Sequence, residues 1–105
     1  MKKLFIDDER FPPGDGKGWD IVRSSAQAIQ YVSKNGMPDI ISFDHDLGGD
    51  DTAVIFINWL TEQLIDGNVT IPPYFSFEVH SQNPIGANNI RGKMNQLLLH
   101  FGGYL

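Results

Sequence analysis

The chain has no cysteine, few basic residues and no long hydrophobic run. The absence of cysteine excludes disulfides, thiolate zinc sites and thiol nucleophiles, and it is compatible with a reducing cytoplasm. Eight Lys and Arg against 13 Asp and Glu give a net charge of −5. This balance argues against capture of duplex DNA, because such binding needs many cationic contacts to phosphates. The net charge does not exclude binding of a ligand with a single phosphate group.

The first residues, Met1-Lys2-Lys3, lead into a short apolar stretch that ends in acids at position 7. Such a stretch is too short for a signal peptide or a membrane span, so we expect a cytoplasmic protein without membrane contact. At 105 residues and 41% hydrophobic composition, the chain can fill one core. We therefore expect a single domain over residues 1–105.

Hydrophobic periodicity and turn residues predict alternating strands and helices. The predicted strands cover 2–6, 19–23, 39–43 and 74–79. Helices are predicted to begin after a capping box of Ser24 and Gln27, after Asp51 or Thr52, and after Asn83. Residues 53–57 favour a strand by propensity, but the spacing further along this segment favours a helix to Ile65, which we adopt.

A Pro- and Gly-rich loop over 11–18 separates the first two strands, where a helix would otherwise be expected. Alternating strands and helices imply a parallel sheet with right-handed crossovers. The simplest strand order is 2-1-3-4, which makes strands one, three and four neighbours.

Polar runs follow three of the hydrophobic runs, at residues 7–10 (DDER), 44–46 (DHD) and 80–83 (HSQN). If these strands are parallel neighbours, their carboxyl ends bring four aspartates and two histidines to one edge of the sheet. Open α/β sheets place their binding sites at that edge. The sequence therefore predicts one functional site built from three separate motifs.

The double acid at 7–8 and Asp44 resemble the acidic pocket of two-component receiver domains, which holds a magnesium-type ion and a phosphate-accepting aspartate. The chain departs from that pattern, because its fourth strand ends in His80-Ser81 and no fifth strand with a lysine follows. Three segments are together similar to a diverged group, the cyclic-phosphate-processing receiver domains: residues 4–10 with Pro12-Pro13, residues 42–48, and residues 80–86 with 88–90. This resemblance implies a small flavodoxin-like three-layer fold and a role linked to RNA repair or to phage and mobile-element conflict.

The clustered carboxylates repel one another and need a cation or raised pKa values. Oxygen ligands favour magnesium, manganese or calcium over zinc, so we expect a divalent cation, magnesium or manganese, as cofactor. The candidate metal ligands are Asp7, Asp8, Asp44 and Asp46. The alternative is that Asp8 and Asp46 point to solvent or cap loops, since adjacent strand residues face opposite ways.

His80 and His45 are the candidate acid and base, with Asp44 as the third catalytic residue, because imidazole titrates near neutral pH. Either histidine could instead orient a loop through a hydrogen bond. Further residues are candidates for binding a phosphorylated substrate through arginine, hydroxyl, amide or backbone groups: Arg10, Ser81, Asn83, Gly86, Asn89 and Arg91. Asn83 could be no more than a helix cap, and either arginine a surface charge.

The leading hypothesis is a metal-assisted phosphodiesterase that hydrolyses a cyclic phosphate, either a 2′,3′-cyclic RNA end or a cyclic nucleotide. An alternative is a non-catalytic module that sequesters a cyclic or phosphorylated nucleotide signal. A third is a phosphoacceptor regulator modified on Asp44. The expected partner is thus a phosphorylated nucleotide or an RNA end.

Overall fold

Four short parallel strands form the sheet of this computed structural model, which describes residues 1–14, 16 and 18–102. The strands are β1 (Lys3–Ile6), β2 (Trp19–Val22), β3 (Ile40–Phe43) and β4 (Ser76–Val79). Their order is β2-β1-β3-β4, and every neighbouring pair is parallel. The predicted order 2-1-3-4 is confirmed.

Three helices complete the fold: α1 (Ser25–Asn35), α2 (Ala53–Ile65) and α3 (Pro84–Phe101). Segment 53–65 is a helix because its buried residues recur at helical spacing, as Phe56, Leu60 and Leu64 show. No helix within the described ranges combines the length and apolar character needed to cross a bilayer.

Side-chain caps fix the first residues of two helices. Ser24 accepts a hydrogen bond from the Gln27 amide at 3.1 Å, as the capping box predicts. The Gln27 side chain, however, accepts from the Arg23 amide rather than from that of Ser24. Gly102 follows the last residue of α3, and Gly103 lies outside the described residues.

All three helices cover the same face of the sheet. The crossovers through α1 and α2 both run from β2 towards β4, so right-handed connections place both helices on one face, and α3 packs beside α2. The single hydrophobic core lies between these helices and one set of strand side chains, Leu4, Ile6, Ile41 and Phe43 among them. The sheet order and the helices are those of the predicted receiver-like α/β fold, and no described helix covers the opposite face of the sheet as a third layer.

The missing layer follows from the connection between β1 and β2. This connection runs in the opposite direction across the sheet, so a right-handed helix here would have covered the other face. The described residues of the segment, 7–14, 16 and 18, contain no helix, in agreement with the predicted loop. Asp15 and Lys17 of that predicted loop lie outside the described residues.

Candidate functional site

The three polar motifs meet at one level of the sheet. Ile6, Phe43 and Val79 are in register as the last residues of β1, β3 and β4. The next residue on each strand is Asp7, Asp44 or His80, and the ladder continues there, since the Asp44 amide donates to Ile6 O and the His80 amide to Phe43 O.

Side chains alternate along a strand, so Asp7, Asp44 and His80 lie on the side of the sheet opposite the core-facing residues that precede them. One potential ligand atom from each of the three lies within 4.8 Å of the others. The predicted convergence of the three motifs is therefore present.

Asp7 is a fully buried carboxylate with four hydrogen-bond donors. Its Oδ1 accepts from the amides of Glu9 and Arg10, at 3.0 and 2.9 Å. Its Oδ2 accepts from Arg10 Nε and His80 Nε2, both at 3.0 Å. Burial opposes ionisation, but these donors outweigh it and hold the pKa of Asp7 below its usual value. Asp7 is thus a charged anchor for Arg10 and His80.

The Arg10 guanidinium lies between two carboxylates at the centre of the site. Its Nε bonds Asp7, and its Nη2 lies 3.5 Å from Oδ2 of Asp44 and 3.5 Å from the carbonyl oxygen of His80. Partial burial opposes its charge, but the two carboxylates raise the pKa of Arg10 further above its usual range. An internal cation therefore offsets part of the negative charge for which the sequence predicted a cation or raised pKa values.

Both ring nitrogens of His80 are engaged within the protein. Nε2 lies 3.0 Å from Asp7 Oδ2 and Nδ1 lies 2.7 Å from Ser42 Oγ. Because the ionised Asp7 carboxylate only accepts, Nε2 carries a proton and donates to Asp7, while Nδ1 and the Ser42 hydroxyl share a second hydrogen bond. The ring also stacks on Phe5, with centroids 4.5 Å apart and planes 5° from parallel. This geometry makes His80 a positioning residue for Asp7.

His45 is held differently and leaves one ring nitrogen available. Its Nδ1 lies 3.0 Å from Asp46 Oδ1. Its Nε2 has no hydrogen-bond partner among the described residues, and it is accessible to solvent rather than buried. The hydrogen bonds from His45 and Asn83 lower the pKa of Asp46. A histidine oriented by a carboxylate, with its second nitrogen open, is the arrangement that proton transfer requires.

The first turn of α3 packs directly against the His45 ring. Gly86 is buried there, and a Cβ at this position would lie 2.7 Å from Cδ2 and Nδ1 of His45, and closer still to its Cγ. The Gly86 amide donates to Oδ1 of the helix cap Asn83 at 3.0 Å, so it is not a free donor for phosphate. Gly86 therefore makes room for His45, a role different from the predicted phosphate contact.

A polar cavity of about 670 Å³ lies over this edge of the sheet. Its charged lining consists of one guanidinium and four carboxylates: Arg10, Asp8, Glu9, Asp44 and Asp46. The remaining lining residues are Gly48, Gly49, Ser81, Gln82 and Asn83. A second cavity of the same volume, between α2 and α3, contains none of the predicted site residues.

Asp7, Asp44 and His80 lie close enough to share a cation, but Asp7 already has four protein donors. All hydrogen-bonding directions of that carboxylate are taken by protein donors, so it reaches a cation only if a bond to Arg10 or His80 breaks. The other predicted ligands, Asp8, Asp44 and Asp46, all line the cavity. Oxygen donors and an excess of negative charge suit magnesium or manganese.

Two predicted substrate residues lie away from this cavity. Asn89 and Arg91 are exposed on α3 and are not among its lining residues, and Arg91 Nη1 faces Asn88 Oδ1 at 3.5 Å. Ser81, Asn83 and Arg10 do line the cavity. Of the two arginines proposed from the sequence to bind phosphate, Arg10 is the one in the site.

Arg23, which the sequence interpretation did not select, holds the loop that carries Arg10. Its Nη1 donates to the carbonyl oxygens of Asp7 and Arg10, at 3.0 and 2.6 Å. Its guanidinium also lies 4.7 Å from the centroid of the Phe11 ring. The only indication in the sequence was that Arg23 ends the predicted strand 19–23, which is the neighbour of the strand that precedes the DDER motif at residues 7–10.

The family of the chain follows from comparison with known proteins. The family model of the cyclic-phosphate processing receiver domain matches residues 2–96, which include all four strands and all three polar motifs. The chain belongs to this family. No curated protein and no solved structure matches it. In this cyclic-phosphate processing receiver domain, the three polar motifs lie together at the carboxyl edge of the sheet, and Arg10 contacts Asp7 and Asp44 there.

Proposed function

We propose that this cyclic-phosphate processing receiver domain is a metal-assisted phosphodiesterase that hydrolyses a cyclic phosphate. The observation that carries the proposal is the Arg10 guanidinium, fixed by Asp7 and placed against Asp44 in an acid-lined cavity. A guanidinium held in this way stabilises the negative charge that develops on phosphate oxygens, and its orientation is set before the substrate arrives.

In this proposal Asp8, Asp44 and Asp46 would hold a divalent cation, magnesium or manganese. Such a cation offsets the carboxylate charge that would otherwise repel a phosphate, and it withdraws electron density from the phosphate oxygens. The cavity lining carries four carboxylates against one guanidinium, so an anionic substrate needs this compensation. Asp7 remains the anchor of Arg10.

His45 is the residue we assign to proton transfer. Its Nδ1 is oriented by Asp46, which lines the cavity although His45 itself is not among the lining residues, and in this proposal Nε2 takes a proton from the water that attacks phosphorus. One ring P–O bond breaks as the new P–O bond forms, the released oxygen takes a proton from solvent water, and His45 returns its proton to solvent, which gives a phosphomonoester with a free hydroxyl. His80 supports the reaction by holding Asp7 and thereby Arg10.

A screen of cyclic phosphates with and without EDTA tests this proposal. Candidates are nucleoside 2′,3′-cyclic and 3′,5′-cyclic phosphates and an RNA with a 2′,3′-cyclic end. We expect conversion of at least one class to a phosphomonoester, with loss of turnover in EDTA and recovery on adding excess magnesium or manganese. Turnover of none of these compounds in the presence of either ion would contradict the proposal, and turnover unaffected by EDTA would remove the cation from it.

Variants of the two histidines test their separate roles, which are proton transfer for His45 and the positioning of Asp7 for His80. His45→Gln should abolish turnover at unchanged substrate affinity, since it removes the proton-transfer group. His80→Ala should instead weaken binding as well, because it frees Asp7 and Arg10 to move. Wild-type turnover in His45→Gln would eliminate His45 from the chemistry.

A second candidate is a module that binds a cyclic or phosphorylated nucleotide without cleaving it. The observation that favours it is the engagement of both His80 nitrogens, which leaves the site without the second free imidazole of a two-histidine mechanism. Incubation with nucleotides, followed by analysis before and after denaturation of the protein, separates the two functions. Altered nucleotide indicates an enzyme, whereas intact nucleotide released only on denaturation indicates sequestration.

A further inference from the structure

Phe11 is a large aromatic side chain exposed to solvent next to the functional site. It follows Arg10 directly in the chain, and its exposed fraction is 72%. The other exposed aromatic of the described residues, Tyr74, precedes β4 and so lies at the opposite edge of the sheet. An exposed aromatic ring beside a binding site is available to stack on a flat ring of a ligand.

The Phe11 ring is held in place by Arg23. The guanidinium carbon of Arg23 lies 4.7 Å from the ring centroid, a cation–π contact. The same guanidinium donates to the carbonyl oxygens of Asp7 and Arg10, so it is tied to the backbone on both sides of the turn. The ring is therefore supported by a fixed cation and presents its remaining surface to solvent.

The Phe11 ring and the Arg10 guanidinium belong to consecutive residues of the loop that follows β1. Consecutive Cα atoms are about 3.8 Å apart, so the two groups project from neighbouring points of the chain. The Arg10 guanidinium lies against Asp44 in the cavity, whereas the Phe11 ring lies over Arg23, on the β2 side of the same loop. One group is placed to contact a phosphate and the other to stack on the base attached to it.

The charge of the chain favours a small ligand with a base over a long polyanion. A net charge of −5 weakens binding that depends on many phosphate contacts. Base stacking supplies affinity without added cationic charge and is worth about 1–3 kcal/mol per base.

We propose that Phe11, backed by Arg23, is a stacking platform for a nucleobase, so that the ligand is a nucleoside cyclic phosphate rather than a base-free phosphate. This inference rests on the proposed function, because it assigns the phosphate of the same molecule to Arg10. The nucleoside cyclic phosphate could be free or the terminal nucleotide of an RNA, since the base and the phosphate are the same in both.

The test compares a nucleoside 2′,3′-cyclic phosphate, a short RNA that ends in one, and ribose 2,3-cyclic phosphate, which lacks the base. Affinities are measured by calorimetry in the His45→Gln background, so that no ligand is hydrolysed during the titration, for the chain without further change as the reference, Phe11→Ala, Phe11→Trp and the control Tyr74→Ala. Phe11→Ala should weaken binding of both base-bearing ligands by roughly 5- to 150-fold and leave that of ribose cyclic phosphate unchanged. Phe11→Trp should retain affinity, and Tyr74→Ala should match the reference. A preference for the RNA over the free nucleotide, or the reverse, identifies the source of the ligand.

Equal affinity of the reference for ribose cyclic phosphate and for the base-bearing ligands would overturn the stacking platform while leaving the proposed function intact. The same holds if Phe11→Ala binds the base-bearing ligands as tightly as the reference does. Failure of the reference to bind any of the three ligands would overturn both proposals. Thermal denaturation of Phe11→Ala controls for folding, and the exposure of the ring leads us to expect an unchanged midpoint.

Discussion

Replacement of Gly86 by alanine tests the packing that positions His45. Gly86 occupies the third residue of α3, and in an open helical position a change from glycine to alanine stabilises by about 1 kcal/mol. Here the added methyl group would overlap the His45 ring, with Cδ2 and Nδ1 only 2.7 Å away. Overpacking of this kind costs about 1–3 kcal/mol.

Because the overlap is with a ring rather than with the end of a flexible chain, we place the cost in the upper part of that range. After subtraction of the helix-propensity gain, Gly86→Ala should destabilise by about 1–2 kcal/mol. Gly92, in the same helix, is the matched control, because a Cβ there meets no atom within 4 Å. Gly92→Ala should stabilise by about 1 kcal/mol.

Urea denaturation of both variants, alone and combined with His45→Ala, measures these free energies of unfolding. Without the His45 ring, Gly86→Ala should stabilise as Gly92→Ala does, so the double-mutant cycle should give a coupling of about 2–3 kcal/mol between positions 45 and 86. The packing is refuted if Gly86→Ala stabilises the wild-type protein as much as Gly92→Ala, or if His45→Ala fails to rescue it.

Two further predictions concern pH and buried charge. Asp7→Asn should destabilise by about 1–3 kcal/mol at neutral pH, because an amide replaces the charged acceptor of four donors. The lowered pKa of Asp7 adds stability above about pH 3.8 that is lost as the pH falls through its folded-state value, so acid titration of Asp7→Asn should show a shallower loss. Burial, with help from Asp20, raises the pKa of Tyr31 to about 12. Urea midpoints should therefore fall between about pH 10 and 12 in the wild type and less in Tyr31→Phe, and equal alkaline losses would refute the raised pKa of Tyr31.

The convergence of the three motifs could be predicted because it depends on backbone periodicity alone. Each hydrophobic run ends where its polar run begins, and parallel neighbours with a common register bring those ends to one level. The same reasoning places Asp7, Asp44 and His80 together, as the structure confirms. It also gave the helix over 53–65, where the spacing of Ile57, Leu60 and Leu64 outweighed β propensity.

The hydrogen-bond partners within the site could not be predicted from the sequence. Nothing in the pattern shows that His80 would be bonded at both nitrogens, since its partner Ser42 lies in the middle of a buried strand. Nor does it show that Arg10 would lie between two carboxylates, or that Gly86 serves the His45 ring. These features depend on side-chain directions across neighbouring elements.

The most direct test of the account is ³¹P NMR of a nucleoside 2′,3′-cyclic phosphate mixed with magnesium and the wild type, Arg10→Ala or Arg91→Ala. We expect the cyclic phosphate signal to be replaced by a phosphomonoester signal with the wild type and with Arg91→Ala, because Arg91 lies outside the cavity. Arg10→Ala should lose at least tenfold in rate, since it removes a charged contact to phosphate. Full activity of Arg10→Ala, with loss in Arg91→Ala, would contradict the central role of the Arg10 guanidinium.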